Sequence, residues 1–498
     1  MHEKWQRGFG ILGGAILLGV LSDALLRPMP GGINVFLWIC ALVGLMAGIS
    51  HFCKLPLMGG GRWLMIVILG FAAAIAWRDS ETLRLWNMLA ICGAMALVMV
   101  RGRSGQVRTL GIIQTFLCGA LMALNMCVGS VLLAYCDLPW RTAASEGKWR
   151  RSAAVARGIL LAIPLLAIFG ALFVAADARF ARLVSNLWRF DPAALLEHAM
   201  VIGVCAWAAA GLIRGTLMRE DDTLMAANRP DWLAIGSTEI AIMLGALNGL
   251  FLLFVCTQAT HFFGGQAHVI ATAGLTAADY ARRGFFELVT VAGLVLPLLL
   301  ASQALLRDED GRAQRWFRSL ASLLVLLTFL VMGSAVQRMT LYYIGFGLTE
   351  LRFYVSAFMV FLAAVFLWYA VTVLRGQRTG FCFGTLAIGF ATLALLDFAS
   401  PDAIIVRANA ARLRQGRGFD AAYAASLSAD ATPALIEAFP SLGEADRRTL
   451  ANALCARWLQ PRNEDWRVWN FDRTAARSAA VRRAAMIEAY TSVPAAAP

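Results

Sequence analysis

The stretch LLVLLTFLV, Leu323 to Val331, is apolar at every position but Thr328 and lies inside a longer, largely apolar run from Trp316 to Val336. A strand of a membrane barrel alternates apolar and polar residues with period two, and this stretch does not. A helix satisfies its own backbone hydrogen bonds in hydrocarbon. At a rise of about 1.5 Å per residue, roughly 20 residues cross a hydrocarbon core of about 30 Å. The run therefore reads as a transmembrane helix.

Working outward, runs of the same kind recur at Phe9 to Leu26, Ile33 to Ser50, Trp63 to Trp77, Leu83 to Val100, Leu110 to Tyr135, Gly158 to Ala176, Leu195 to Leu217, Ala234 to Gln258, Phe285 to Leu306, Phe353 to Leu374 and Phe381 to Ala399. With the first, they make about twelve candidate spans. Composition agrees: 59% of the 498 residues are hydrophobic, 15% are charged and the mean hydropathy is +0.67. A soluble domain has about 45–50% apolar and about 25% charged residues, so one large soluble core is excluded. Trp63 to Trp77 is short for a span, and Leu110 to Tyr135 is long enough to tilt strongly or overhang the interface. The first run follows Lys4 and Arg7, contains Asp23 and ends in LRPMPGG without a small-x-small cleavage site, which predicts a retained anchor.

The expected fold class is all-α. A polytopic transmembrane helix bundle of about twelve helices over residues 1–399 precedes a small α-helical C-terminal region over 400–490 and a disordered tail over 491–498. The C-terminal region is rich in alanine, arginine and acidic residues. In TPALIEAF, Pro433 takes a first-turn position, and in EADRRTLANALCARWL, Leu450, Leu454 and Trp458 share one helix face.

The net charge of +13 is carried largely by short loops: RGRSGQVR (Arg101 to Arg108), RTAASEGKWRR (Arg141 to Arg151) and RDEDGRAQRWFR (Arg307 to Arg318). Basic short loops mark the cytoplasmic side of a membrane protein and contact anionic lipid. The expected partner is the lipid bilayer, not nucleic acid. Strict alternation of twelve helices conflicts with this rule. If Arg141 to Arg151, Arg307 to Arg318 and Arg375 to Arg378 are cytoplasmic, then Lys4, Arg7 and Arg101 to Arg108 fall outside. Either one early segment fails to cross or crosses twice, or the second-half signal is outvoted by Arg407, Arg412, Arg414 and Arg417. We expect an extracytoplasmic C-terminus in a bacterial inner membrane; the scarcity of lysine against arginine and alanine fits a GC-rich bacterial source.

Ten cysteines are scattered without a CxxC pair, which reads as small apolar packing residues. His51, His261 and His268 supply too few ligands for a metal site, and no cofactor motif is present. The enzyme reading is correspondingly poor: HExxH, GxSxG, a phosphate-cradling glycine loop and a paired-aspartate loop are all absent.

A charge at mid-bilayer costs at least about 2.5–3.5 kcal/mol and tends to mark function. Asp23, Glu239, Glu287, Glu350 with Arg352, and Asp397 are the candidates, and Glu239 and Glu287 are the strongest for a transport path. QRMTLYYIGFGLTELRFYVSAF (Gln337 to Phe358) reads as a rigid interfacial elbow: Tyr342 and Tyr343 suit an interfacial belt, Gly345 and Gly347 permit a turn, and Thr349 can cap the next helix. Glu350 and Arg352 are two residues apart, so they do not share a helix face.

Five blocks resemble, in order, those of a bacterial membrane protein family known as a domain of unknown function, the 4153/4173 group. They are DYARRGFFELVTVAGLVLPLLL from Asp279, LYYIGFGLTELRFY from Leu341, SPDAIIVRANAAR from Ser400, FDAAYAASLSADATPAL from Phe419 and WRVWNFDRTAAR from Trp466. The resemblance covers roughly Tyr280 to Arg477. It implies a membrane part continuous with its C-terminal region and assigns no activity. The matching positions include Tyr280, Arg282, Tyr342, Thr349, Arg352, Asp402, Arg407, Asn409 and Asn470, a candidate region whose default roles are structural. Three functions remain: a scaffold, sensor or regulatory component whose C-terminal region binds a protein partner; a secondary transporter or channel; and a membrane-embedded enzyme on a lipid-linked substrate.

Overall fold

The computed structural model describes residues 2–27, 31–53, 62–101, 112–138, 192–218, 235–263, 285–306, 311–377, 380–461 and 465–491, with Phe169 and Phe173. Helices α1 (His2–Leu26), α2 (Ile33–Phe52), α3 (Arg62–Trp77), α4 (Glu81–Arg101), α5 (Ile112–Leu132), α6 (Pro192–Leu217), α7 (Ser237–Phe263), α8 (Phe285–Leu305), α9 (Gly311–Phe346), α10 (Glu350–Thr372) and α11 (Phe381–Ala399) account for eleven of the twelve expected runs. Ten are long and apolar enough to cross a membrane, and α3 is a shorter apolar helix. The remaining run, Gly158 to Ala176, lies almost wholly outside the described residues. The protein is thus a polytopic helical bundle. α9, with 36 residues, runs to about 54 Å and exceeds the hydrocarbon thickness by several turns.

Beyond Ala399 the chain turns at Ser400, a non-glycine residue with φ 55°, into a helical domain. This domain comprises α12 (Pro401–Leu413), α13 (Ala421–Ser426), α14 (Thr432–Ala438), α15 (Glu444–Leu454), α16 (Phe471–Arg482) and α17 (Ala484–Glu488). Its own core contains Ile405, Leu435, Phe439, Leu450, Leu454, Trp458 and Ile487. The expected stripe of Leu450, Leu454 and Trp458 is buried, and Pro433 lies in the first turn of α14.

The domain rests on a defined set of helix ends. Arg467 donates to the carbonyl of Ala24 (2.6 Å) and Ile33 N–H donates to that of Trp469 (2.8 Å), so the α1–α2 turn is at this face. A Cβ on Gly32 would lie 2.4 Å from the Trp469 oxygen, which makes glycine a steric requirement of the docking. The end of α3, the start of α4, the α9–α10 elbow and the end of α11 meet the domain at the same face, here called the tail face.

For spanning helices, the remaining ends are fixed by this placement. The starts of α1, α3, α9 and α11 and the ends of α2, α4 and α10 lie at the opposite face. α6 starts at the tail face, where His198 meets Asp23 (2.6 Å), and ends beside Asp137, with which Arg214 pairs. Ile235, just before α7, donates to Leu305 at the end of α8 (2.8 Å), placing both beside the start of α9. Helix α5 departs from alternation. Its first turn reaches Cys382 at the start of α11 through Thr115, and the chain after its end reaches Arg214 and packs on Gly8. Both ends of this segment therefore lie toward the opposite face.

Candidate functional site at the junction of bundle and tail domain

The turn between α3 and α4, Trp77 to Glu81, places four polar residues where the bundle meets the tail domain. Arg78 and Asp79 are 7% and 8% exposed, a burial that charges tolerate only when paired. Arg78 Nη1 lies 3.0 Å from Asp472 and 3.8 Å from Asp430, Nη2 donates to the Phe398 carbonyl (3.3 Å) and Nε to that of Asp397. Asp79 accepts from Arg473 Nε (2.6 Å) and from the Ala429 N–H (3.3 Å), with Arg457 at 3.7 Å and Arg84 at 3.9 Å.

Asp430 and Asp472 touch each other within this network. Burial first, and then the adjacent Asp472 carboxylate, push the Asp430 pKa up to about 8. Asn470 caps α16 by accepting from Asp472 and Arg473 N–H groups and donates to the carbonyls of Ile75 (3.2 Å) and Arg78 (3.1 Å). One amide thus starts a tail helix and clips it to the end of α3. Alongside, Asp397 in α11 accepts from Asn87 Nδ2 (3.0 Å), and the buried Asp402 accepts from Ser428 N–H (3.1 Å) and its hydroxyl. Burial raises the Asp402 pKa.

The elbow is the second attachment. Gly347 has φ +81°, the left-handed conformation glycine adopts without strain, and a Cβ there would meet Arg412 at 2.5 Å. Leu348 N–H donates to Asn409 Oδ1 (2.8 Å) and Asn409 Nδ2 donates back to the Leu348 carbonyl (2.8 Å). Arg412 donates to the carbonyls of Ile344 (3.1 Å) and Gly345 (3.0 Å), satisfying acceptors at the end of α9. Arg352 donates to the Gly347 carbonyl (2.5 Å) and stacks over Tyr342 at 3.9 Å.

The turn is made at Gly347 alone, because α9 continues through Gly345 to Phe346. Thr349 occupies the N-cap position, but its side chain makes no capping bond; Glu350 N–H instead donates to the Tyr423 hydroxyl (2.8 Å). The domain's contact replaces the expected local cap.

Between these attachments lies a polar cavity of about 650 Å³. It is lined by Asp79, Glu81, Arg84, Glu350, Arg457 and Arg473, among others. The structure brings Glu350, Arg352, Tyr342, Asp402 and Asn409 to this junction. It leaves Arg407 outside, facing Glu437 at 4.0 Å with both side chains exposed. Glu239 and Glu287 are exposed in the first turns of α7 and α8, and Glu239 accepts from Gly236 N–H (2.9 Å). Among the described residues neither lines a buried path, and a carboxylate at a helix start is favoured by the backbone dipole without any functional role. Tyr280 and Arg282 lie outside the described residues. Among the described residues no group of three or more His, Cys, Asp or Glu side chains converges to hold a metal, and none of the ten cysteines forms a disulfide.

Sequence reading singled out neither Arg78 and Asp79 nor their partners Asp430, Asp472 and Arg473. WRDSET, Trp77 to Thr82, has the composition of an ordinary polar turn.

The bundle and its docked domain define a multi-pass α-helical membrane protein with a built polar junction at one face. The chain belongs to the family described as a domain of unknown function (DUF4153), whose model matches residues 65–438. The match starts far earlier than the expected Tyr280 and takes in α3 and α4, hence Arg78 and Asp79. It ends before the WRVWNFDRTAAR block, which lies beyond it. No curated protein and no solved structure matches the chain.

Proposed function

We propose that the protein is a scaffold or sensor of the cell envelope, with its tail domain fixed on the extracytoplasmic side of a bacterial inner membrane. The observation that carries this reading is the rigid coupling of bundle and domain. Arg78, Asp79, Asp430, Asp472 and Arg473 form one polar network, Asn470 clips the domain to the backbone at the end of α3, and Asn409 ties it to the α9–α10 elbow. A shift of α3, α9 or α11 moves the domain with it, as a sensor or an anchored platform requires.

Sidedness is supported by charge. The helix ends at the opposite face border Lys4 and Arg7, Lys54 and Arg62, Arg101 to Arg108, Arg141 to Arg151, Arg307 to Arg318 and Arg375 to Arg378. Connections at the tail face carry fewer basic residues. Because both ends of α5 lie toward that face, the helix ends that border the early and late basic stretches share it, and the positive-inside rule supports a cytoplasmic assignment for it.

The test is a topology map with paired reporters, one active only inside and one only outside the cytoplasm, fused after Gly102, Gly311 and Pro498. The reading expects the first two sites inside and the last outside. A cytoplasmic C-terminus overturns the orientation and with it the envelope-facing platform.

A further inference from the structure

Two of the helices that line the polar cavity also line an apolar groove beyond it. On α10, Glu350, Tyr354, Ala357, Phe358 and Phe361 recur at i, i+4, i+7, i+8 and i+11, which is one stripe of the helix. Glu350 lines the polar cavity, and the other four line an apolar groove of about 380 Å³. α4 repeats the pattern: Thr82 lines the cavity, while Trp86, Leu89 and Ala90, at i+4, i+7 and i+8, line the groove. α11 closes the floor with Gly389 and Phe390. Each face is therefore polar for its first turn and apolar below it. The change falls at Tyr354, whose hydroxyl meets Ser80 Oγ at 3.4 Å. From Glu350 to Phe361 the axial distance is roughly 16 Å, about half the hydrocarbon core and so the depth of one leaflet.

The chemistry of the two ends differs as the two ends of a lipid do. Arg84, Arg457 and Arg473 line the polar end, and guanidinium forks match phosphate oxygens. The Glu81 and Glu350 carboxylates also line it and make no hydrogen bond or ion pair among the described residues, so they offer acceptors to an ammonium group. Trp458, 5% exposed, belongs to the same wall, and its indole N–H has no partner among the described residues. Trp86, Leu89 and Phe358 are exposed along the groove, which opens between α4 and α10.

We propose that α4, α10 and α11 with the overlying domain form a binding site for one aminophospholipid molecule. Its phosphate lies on the arginines, its ammonium on Glu81 and Glu350, and an acyl chain in the groove. An anionic phospholipid leaves the two carboxylates without a cation and is the poorer ligand. The site stands on cavity and groove alone and does not depend on the scaffold or sensor reading or on membrane orientation.

The experiment uses the full chain in vesicles of phosphatidylglycerol containing a trace of phosphatidylethanolamine with a photoreactive acyl chain. Labelled peptides are mapped by mass spectrometry. We expect label concentrated on α4, α10 and α11, displaced by unlabelled phosphatidylethanolamine. Glu350→Gln and Arg84→Ala should each lower it at least fivefold. Gly389→Leu should do the same by filling the groove, since a Cβ there meets only Phe361, at an ordinary 3.7 Å. The proposal is overturned by label spread evenly over the lipid-facing helices, by equal displacement with added phosphatidylglycerol, or by unchanged labelling in folded Gly389→Leu. Displacement by free phosphoethanolamine as effective as by the lipid would likewise overturn it, since that outcome assigns the cavity to a soluble ligand.

Discussion

Arg78 and Asp472 lie 3.0 Å apart although 394 residues separate them, and both are almost fully buried. The pair joins the end of α3 to the first turn of the last long tail helix, and Asp430 sits against it at 3.8 Å. Removing one partner of such a pair strands a charge and costs about 3–5 kcal/mol. Arg78→Ala should therefore loosen the domain from the bundle while leaving insertion intact. Limited proteolysis of the purified full chain reads this as faster cleavage after Ala399, and wild-type protection in the variant would rule the coupling out.

The raised pKa of Asp430 beside Asp472 gives a pH dependence with a definite sign. Because the Asp430 pKa is raised to about 8 in the folded protein, the folded state holds more protons than the unfolded one from the ordinary carboxylate range up to that value. Stability then falls as pH rises through that window. Asp430→Asn should flatten the thermal unfolding midpoint between about pH 5 and pH 8, because the amide stays neutral and its N–H₂ can still donate to Asp472. A variant that keeps the wild-type slope would place the titration elsewhere.

Asn409 holds the elbow through both backbone groups of Leu348. Asn409→Leu removes both bonds and leaves a partly buried N–H and C=O short of partners, a loss of about 2 kcal/mol at the lower end of the roughly 1–3 kcal/mol per group that full burial costs. Gly347→Ala should destabilise the same elbow, since its φ is positive and Arg412 occupies the space a Cβ needs. Chemical denaturation in detergent measures both, and wild-type stability in both would show that the elbow is not held by these contacts.

Glu239→Gln and Glu287→Gln should each change stability by less than about 1 kcal/mol, the usual scale for a carboxylate at an exposed helix start. Neither should alter ion flux across reconstituted vesicles. A change in flux from either substitution would restore the transport path that their exposure argues against.

The elbow residues were within reach of the sequence because they cluster in two short blocks, but their roles were not. Thr349 has the residue type and position of an N-cap, yet the bond it would make is supplied by Tyr423 from 74 positions away. Glu239 and Glu287 looked functional because a charge beside a long apolar run is costly only if it lies within the membrane, and sequence does not fix depth.

What the sequence alone determined is the class: the length and unbroken hydropathy of runs such as Leu323 to Val331 are local properties, and hydrocarbon permits only a self-bonded helix there. The same local patterning foretold the small helices beyond Ala399 and the buried face of Leu450, Leu454 and Trp458. Tertiary structure decided which face those helices cover, that both ends of α5 lie toward one side, and that Arg78 and Asp79 meet carboxylates and guanidiniums more than 300 residues away. The reason is physical: burial of a hydrophobic run depends on the run itself, whereas pairing of a buried charge depends on which distant segments the packed helices bring to it.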